Sequence, residues 1–169
     1  MKGGNEMTYI ETLGSNAVKV KKILAADTGK KNSALAEISR ALIENSDKII
    51  EANQKDLTAA KENGMSVSMQ DRLMLNEDRI KGIASAVDEL IKLEDPIGKV
   101  DNGSVRPNGM RITKIRVPMG VIGMIYESRP NVTADAATLC LKTGNAVILR
   151  GGKEAYNSNK CICEIMRDA

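Results

Sequence analysis

The sequence predicts an α/β chain: a series of N-terminal helices, a β-hairpin, and the start of a parallel sheet. Three observations carry this. Apolar residues recur at helical spacing from about Thr8 to Leu93. A turn signal, Pro107-Asn108-Gly109, then separates two extended segments. Finally, Met119 to Tyr126 is apolar or glycine without a charge, and Ala146-Val147-Ile148-Leu149 repeats that character after a helical stretch. Uncharged runs of this kind suit parallel strands covered on both faces better than half-exposed antiparallel ones.

Taken in order, Leu13, Ala17, Val20 and Leu24 fall on one helical face, and Leu35, Ile38, Leu42 and Ile49 repeat the pattern. Asp27-Thr28-Gly29 separates these two helices. Ser66 or Ser68 opens a short helix that runs through Leu75. Asn76 reads as the cap of the next helix, and Glu77 and Asp78 suit the positive end of its dipole. Ile80, Ile83, Val87, Leu90 and Ile91 form its stripe, and Asp95-Pro96 stops it. The charges on the remaining faces, Lys21, Lys22, Lys30, Lys31 and Lys61, read as solvated surface.

In the hairpin, Met110 and Ile112 alternate with Arg111 and Thr113, whereas Ile115 and Val117 fall on the opposite parity. The strand therefore bulges near Lys114 or changes which face it buries. An arm reaching another subunit and an ordinary edge hairpin both fit these residues. Pro130 starts a helix over Asn131 to Leu141, and Gly144 is its left-handed stop. Strand, helix and parallel strand form a crossover unit, and ligands bind beyond the carboxyl ends of such strands. Those ends carry Glu127-Ser128-Arg129 and Arg150-Gly151-Gly152-Lys153. Ala155 to Ala169 is a further helix with Ile162, Ile165 and Met166 as its apolar positions. With two parallel strands where such sheets use more, the sequence reads as the opening part of a longer protein. It divides into a helical part (1–96), a hairpin (97–118) and a strand–helix unit (119–169).

A length of 169 residues holds one domain with a real core, or one domain plus an arm. No apolar run approaches the length of a membrane span, and no secretion signal opens the chain. A net charge of +3, spread evenly and without Trp or Phe, argues against nucleic acid. Three cysteines in that setting read as reduced thiols of a cytoplasmic protein. The absence of histidine excludes Ser-His-Asp and Cys-His catalysis within these residues and removes the commonest zinc ligand. Cys161-Ile162-Cys163 is at most half a metal site, so no metal is expected.

Cys140, among Ala136, Ala137, Leu139 and Leu141, has no cationic neighbour to stabilise a thiolate and reads as a buried structural thiol. Arg129 sits between an apolar strand and a helix start, where a guanidinium and backbone amides converge on an anion. Its spacing equally suits a surface pair with Glu127. The pair Gly151-Gly152, flanked by Arg150 and Lys153, lets a ligand approach the backbone. No GxGxxG or Walker pattern is present. From these residues alone, a nucleotide-binding or regulatory module and an interaction protein built on helices and hairpin both remain open.

The stretch RVPMGVIGMIYESRPNVTADAATLCLKTGNAVILRGGKEAYNSN resembles the glutamate-5-semialdehyde dehydrogenase (gamma-glutamyl phosphate reductase) family of the aldehyde dehydrogenase superfamily. The segments NQKDLTAAKENGMSVSMQDRL and DNGSVRPNGMRITKIRVP are similar to the same family in the same order. The resemblance implies an aldehyde dehydrogenase-like, here incomplete, fold with a Rossmann-like cofactor domain. It implies NADPH-dependent reduction of gamma-glutamyl phosphate to glutamate 5-semialdehyde in proline biosynthesis. A catalytic cysteine attacks the acyl phosphate, phosphate leaves, and NADP(H) supplies hydride. That cysteine belongs to a later domain, so no catalytic residue carries over to Cys140, Cys161 or Cys163. Ile125 and Tyr126, with Arg150, Gly151, Gly152, Lys153 and Glu154, would hold the cofactor, Arg150 and Lys153 facing the 2'-phosphate. Ser128, Arg129 and, with one gap, the oxyanion-type Asn131 would face the small-molecule substrate. The hairpin would build a homo-oligomer.

Overall fold

The computed structural model describes residues 8–26 and 29–169, so Asp27 and Thr28 of the expected first break lie outside the described residues. Five helices come first: α1 (Tyr9–Ala26), α2 (Lys31–Glu44), α3 (Ser46–Glu62), α4 (Val67–Leu73) and α5 (Glu77–Lys92). The hairpin follows as β1 (Val100–Val105) and β2 (Arg111–Ile115). Then come β3 (Val121–Ile125), α6 (Asn131–Lys142), β4 (Ala146–Arg150), a 3-10 turn at Lys153–Ala155 and α7 (Tyr156–Asp168).

The sequence runs α2 and α3 together. They break at Asn45, whose side-chain Nδ2 and backbone N–H both donate to the Ala41 carbonyl, at 2.8 and 3.0 Å. The apolar spacing passes through the break undisturbed, because Leu42 and Ile49 enter the same core. The caps behave as their chemistry requires. Ser66 rather than Ser68 opens α4, its hydroxyl accepting from the Met69 N–H, and Asn76 Oδ1 accepts from the Arg79 N–H at 2.8 Å. Gly144 takes φ +68°. The Asn145 N–H reaches back to the Cys140 carbonyl at 2.8 Å and the Gly144 N–H to Leu141 at 3.0 Å, a Schellman ending for α6.

The main core is helical: Ile38, Leu42, Ile49, Leu75, Ile80, Ile83, Ala134, Ile162 and Ile165 converge from α2, α3, α5, α6, α7 and the turn before α5. Each leucine and isoleucine among them contributes roughly 1.5–3 kcal/mol by leaving water. Lys31, expected on the surface, is 4% exposed. Its ammonium donates to the Lys142 carbonyl at 3.2 Å and pairs with the Asp95 carboxylate. Lys142 is buried too, donating to Asn32 Oδ1 at 2.8 Å and to the Ile91 carbonyl at 3.2 Å. Two ammonium groups thus clamp the C-terminal ends of α5 and α6 to the start of α2. Such burial is tolerated because each cation is bonded.

β3 and β4 pair in parallel, with Val121 opposite Ala146 and Ile125 opposite Arg150. The Asn145 side chain accepts from the Gly120 N–H at 2.8 Å and fixes that register at the entry end. β3 is not covered on both faces as its composition suggested. Val121 is 37% and Ile125 76% exposed, while Ile122 and Met124 are half-buried. An apolar run records what a strand tolerates, not which neighbours are present.

The hairpin forms a separate two-stranded antiparallel sheet, every residue of which is exposed. Gly109 closes its turn at φ +83°. The register slips in β1 rather than β2: Val100 faces Ile115 and Asn102 faces Lys114, leaving Asp101 as the extra residue. Ile112 and Ile115 therefore do lie on opposite faces, and the bulge across from Lys114 brings Val100 to the face shared by Val105 and Ile115.

Candidate functional site

At the carboxyl end of β3 and β4 the two exit loops meet. The Tyr126 N–H extends the ladder to the Arg150 carbonyl at 3.1 Å. A Cβ on Gly152 would lie 3.5 Å from the Glu127 carbonyl carbon and 3.6 Å from the Ser128 nitrogen. The Ser128 hydroxyl and the Glu154 carboxylate approach to 3.5 Å across the gap. Ile125, Tyr126, Ser128, Arg150, Gly151, Gly152, Lys153 and Glu154 therefore share one rim. Arg150 and Lys153 are exposed on it, and neither forms an ion pair or side-chain hydrogen bond among the described residues.

Gly151 has a different reason to be glycine than ligand approach. A Cβ there would overlap Asn159 Nδ2 and sit 3.1 Å from the Tyr126 ring. The absent side chain makes room for the protein itself. The Tyr126 hydroxyl bonds Thr133 Oγ1 at 2.6 Å, and Thr133 Oγ1 bonds Asn159 Oδ1 at 2.9 Å. Burial raises the Tyr126 pKa, the Thr133 bond opposing it. With its hydroxyl engaged, Tyr126 offers the rim its backbone and ring edge.

Beyond Ser128 the rim gives way to a neighbouring cleft at Arg129 and Asn131. Both line a cleft of about 430 Å³ whose opposite wall comes from α4 and α5, including Arg72, Arg79 and Gly82. The expected alternative of an Arg129–Glu127 ion pair is not formed; the two residues meet only through the Arg129 N–H and the Glu127 carbonyl, at 2.8 Å. Asp135, one helical turn past Asn131, accepts the Asn131 amide at 3.0 Å. Partial desolvation pushes its carboxyl above the ordinary aspartate range, and the Asn131 bond offsets part of this. The Arg79 guanidinium is occupied, donating to the Met74 carbonyl and the Asp71 carboxylate, each at 2.8 Å. Arg72 has no ion pair or hydrogen bond to its side chain among the described residues.

The thiols lie elsewhere. Cys140 is buried within α6, and burial raises the pKa of Cys140, Cys161 and Cys163 alike. None of them lines the cleft. No group of potential metal ligands occurs among the described residues, and no helix there is long and apolar enough to cross a membrane.

No family model matches the chain. It is 60% identical over 144 residues to the gamma-glutamyl phosphate reductase of Clostridium perfringens, a stretch covering 85% of this chain and 35% of that protein. The crystal structure of gamma-glutamyl phosphate reductase from Thermotoga maritima superposes with a TM-score of 0.90 at 43% identity, over 93% of this chain and 38% of that one. Over these residues the chain is a homologue of the gamma-glutamyl phosphate reductases. It spans 35% of the length of the Clostridium perfringens relative. A crystal structure from Bacillus subtilis bearing an aldehyde dehydrogenase name matches with a TM-score of 0.69 at 20% identity, over 93% of this chain and 33% of that one. At that identity the match shows the fold alone, which is aldehyde dehydrogenase-like with a small incomplete sheet.

Within this gamma-glutamyl phosphate reductase relative, sequence reasoning missed the cleft wall on α4 and α5. Arg72 reads as one more solvated charge on a short helix. Its neighbours across the cleft are more than fifty positions away in the chain, and no local pattern links them.

Proposed function

We propose that the protein acts in the NADPH-dependent reduction of gamma-glutamyl phosphate to glutamate 5-semialdehyde, in the cytoplasm and within L-proline biosynthesis. The observation that carries the reading is the 60% identity to a gamma-glutamyl phosphate reductase across 85% of the chain. These residues would contribute the first strands of the cofactor-binding sheet, the rim that holds NADP(H), and part of the substrate cleft. The residues present fit that group. An exposed apolar side chain at Ile125 and two cations without partners among the described residues, Arg150 and Lys153, suit a ligand with a flat ring at one end and phosphates at the other. Arg150 and Lys153 would hold the 2'-phosphate, and Ile125 and Tyr126 the nicotinamide side. When bound, the cofactor supplies hydride to the acyl carbon. Ser128, Arg129 and Asn131 would orient the acyl phosphate beside it.

None of the three thiols suits the nucleophile, because each is held up in pKa by burial and none reaches the cleft. The attacking cysteine belongs outside these residues, and the 169-residue chain alone is expected to show no reductase turnover. The fully exposed hairpin supports a role as a homo-oligomer arm. The test is a titration of NADPH and NADH into the protein and into an Arg150→Ala/Lys153→Ala variant. Each lost contact to phosphate is expected to weaken NADPH by about 1.5–3 kcal/mol with little change for NADH. Equal effects on the two nucleotides would remove both residues from discrimination, and no affinity for either would overturn the cofactor reading.

A further inference from the structure

We propose that the cleft between α4–α5 and the start of α6 is an amino-acid headgroup site, in which Arg72 takes the α-carboxylate and Asp135 the α-ammonium of a glutamyl substrate. The identity of that ligand rests on the reductase reading above; the charge pattern of the cleft does not. Its volume of about 430 Å³ lies within the range of small-molecule sites, roughly 300–1,000 Å³. Of its five charged side chains, Arg79 and Asp71 satisfy one another. Two guanidinium groups, Arg72 and Arg129, are left without an ion pair among the described residues, together with one carboxylate, Asp135, whose bond is to the neutral Asn131 amide.

That surplus mirrors gamma-glutamyl phosphate, which has an anion at each end and one ammonium beside the carboxylate. Arg129 adjoins the strand end, where the acyl phosphate would lie, so Arg72 on the facing wall is the cation left for the other end. A planar guanidinium matches a carboxylate through two parallel bonds, which an ammonium cannot do. The partial desolvation that raises the Asp135 carboxyl would be offset by a bound ammonium.

Gly82 supports the same assignment independently of charge. It lies inside α5, where glycine costs about 1 kcal/mol relative to alanine. A Cβ there would meet nothing within 4 Å, so no close packing requires its absence. Its effect is to leave the cleft wall bare.

The test titrates L-glutamate, glutarate and 4-aminobutyrate into the protein by amide chemical-shift mapping. Glutarate lacks the ammonium and 4-aminobutyrate lacks the α-carboxylate. L-glutamate is expected to bind at least about tenfold more tightly than either, as one charge-assisted contact predicts. Arg72→Gln should abolish the preference over 4-aminobutyrate, with Arg72→Lys restoring part of it. Asp135→Asn should abolish the preference over glutarate, and Gly82→Leu should weaken all three. Amide spectra of the variants establish that they are folded. Equal affinity for the three probes, no binding of any, or variants that keep the wild-type preferences would overturn the proposal. NADPH titrated into the same samples separates the two readings. NADPH binding without the amino-acid preferences removes this site and leaves the reductase reading standing. The preferences without NADPH binding do the reverse.

Discussion

The Asp56 carboxylate on α3 caps α7 through Ser158, 102 residues further along the chain. Its Oδ2 accepts the Ser158 hydroxyl at 2.6 Å and the Ser158 N–H at 2.8 Å. Its Oδ1 accepts the Asn157 N–H at 3.1 Å and side-chain amide at 2.8 Å. Asp56 and Ser158 are both buried. Asn53, one turn earlier, completes the network by donating to Ser158 Oγ at 3.0 Å and to the Leu73 carbonyl at 2.8 Å, while accepting the Leu75 N–H at 2.7 Å. One face of α3 therefore sets both the helix that follows the β4 exit loop and the turn between α4 and α5.

Asp56→Ala is expected to destabilise the protein by about 2–3 kcal/mol, because it strands buried N–H groups at the positive end of a helix. Urea unfolding measures this. Asn53→Ala should couple to it rather than add, since both residues bond the Ser158 hydroxyl. Strict additivity in the double variant would show that the network is not a unit.

The clamp at Asp95 gives a pH dependence. Desolvation raises the Asp95 carboxyl, but the Lys31 bond, the Ile97 N–H at 2.9 Å and the charges of Lys31 and Lys142 outweigh it and hold it below its ordinary value of 3.8. A carboxyl lowered by folding contributes stability that is present above its unfolded pKa and is lost as pH falls through the folded one. The advantage of the wild type over Asp95→Asn should therefore be complete at pH 6 to 7 and shrink only below about pH 4. A difference that stays constant down to pH 2 would refute this account of the pair.

The features legible in the sequence are those set by neighbours in the chain. Ser66, Asn76, Pro130 and Gly144 mark helix ends through bonds to residues within one turn, and the strands 121–125 and 146–150 follow from uncharged runs. What stayed hidden depends on distant partners. Lys31, Lys142, Asn53 and Asp56 are polar positions on helices, which local reading assigns to solvent, yet their partners lie 20 to 111 residues away. Asn45 breaks α2 from α3 without disturbing the apolar period, so periodicity could not find it. The Gly151-Gly152 pair reads as room for a ligand, whereas at Gly151 the atoms that approach are those of Tyr126 and Asn159.

That distinction predicts an asymmetry between the adjacent glycines. In Gly151→Ala the new methyl meets Asn159 and a ring held by the Thr133 bond, so overpacking should cost about 1–3 kcal/mol. In Gly152→Ala the nearest atom, at 2.6 Å, is the flexible end of Glu154, which can swing aside. Gly152→Ala should lose less than about 1 kcal/mol when both variants are compared by urea unfolding, as expected where the only obstacle is a movable side chain. Equal losses would mean that the backbone of the loop, and not the Tyr126–Asn159 packing, requires glycine.

The hairpin gives the last prediction. The Asp101 bulge gathers Val100, Val105 and Ile115 on one face, and these are 62%, 65% and 53% exposed. Arg111 and Thr113 share that face, opposite Val105 and Gly103, yet a two-stranded sheet with three exposed apolar side chains and open edges gains by pairing with another chain. The protein should therefore associate in a concentration-dependent way above its monomer mass of 18.2 kDa in sedimentation equilibrium. Val105→Lys with Ile115→Lys should shift it toward monomer. Because both positions are exposed, each substitution should alter unfolding stability by no more than about 0.5 kcal/mol. That pairing of outcomes separates a surface effect from a folding effect. A wild-type monomer at every concentration would remove the arm from any role in assembly, and association unchanged by the double variant would move the contact to the open edges of β3 and β4.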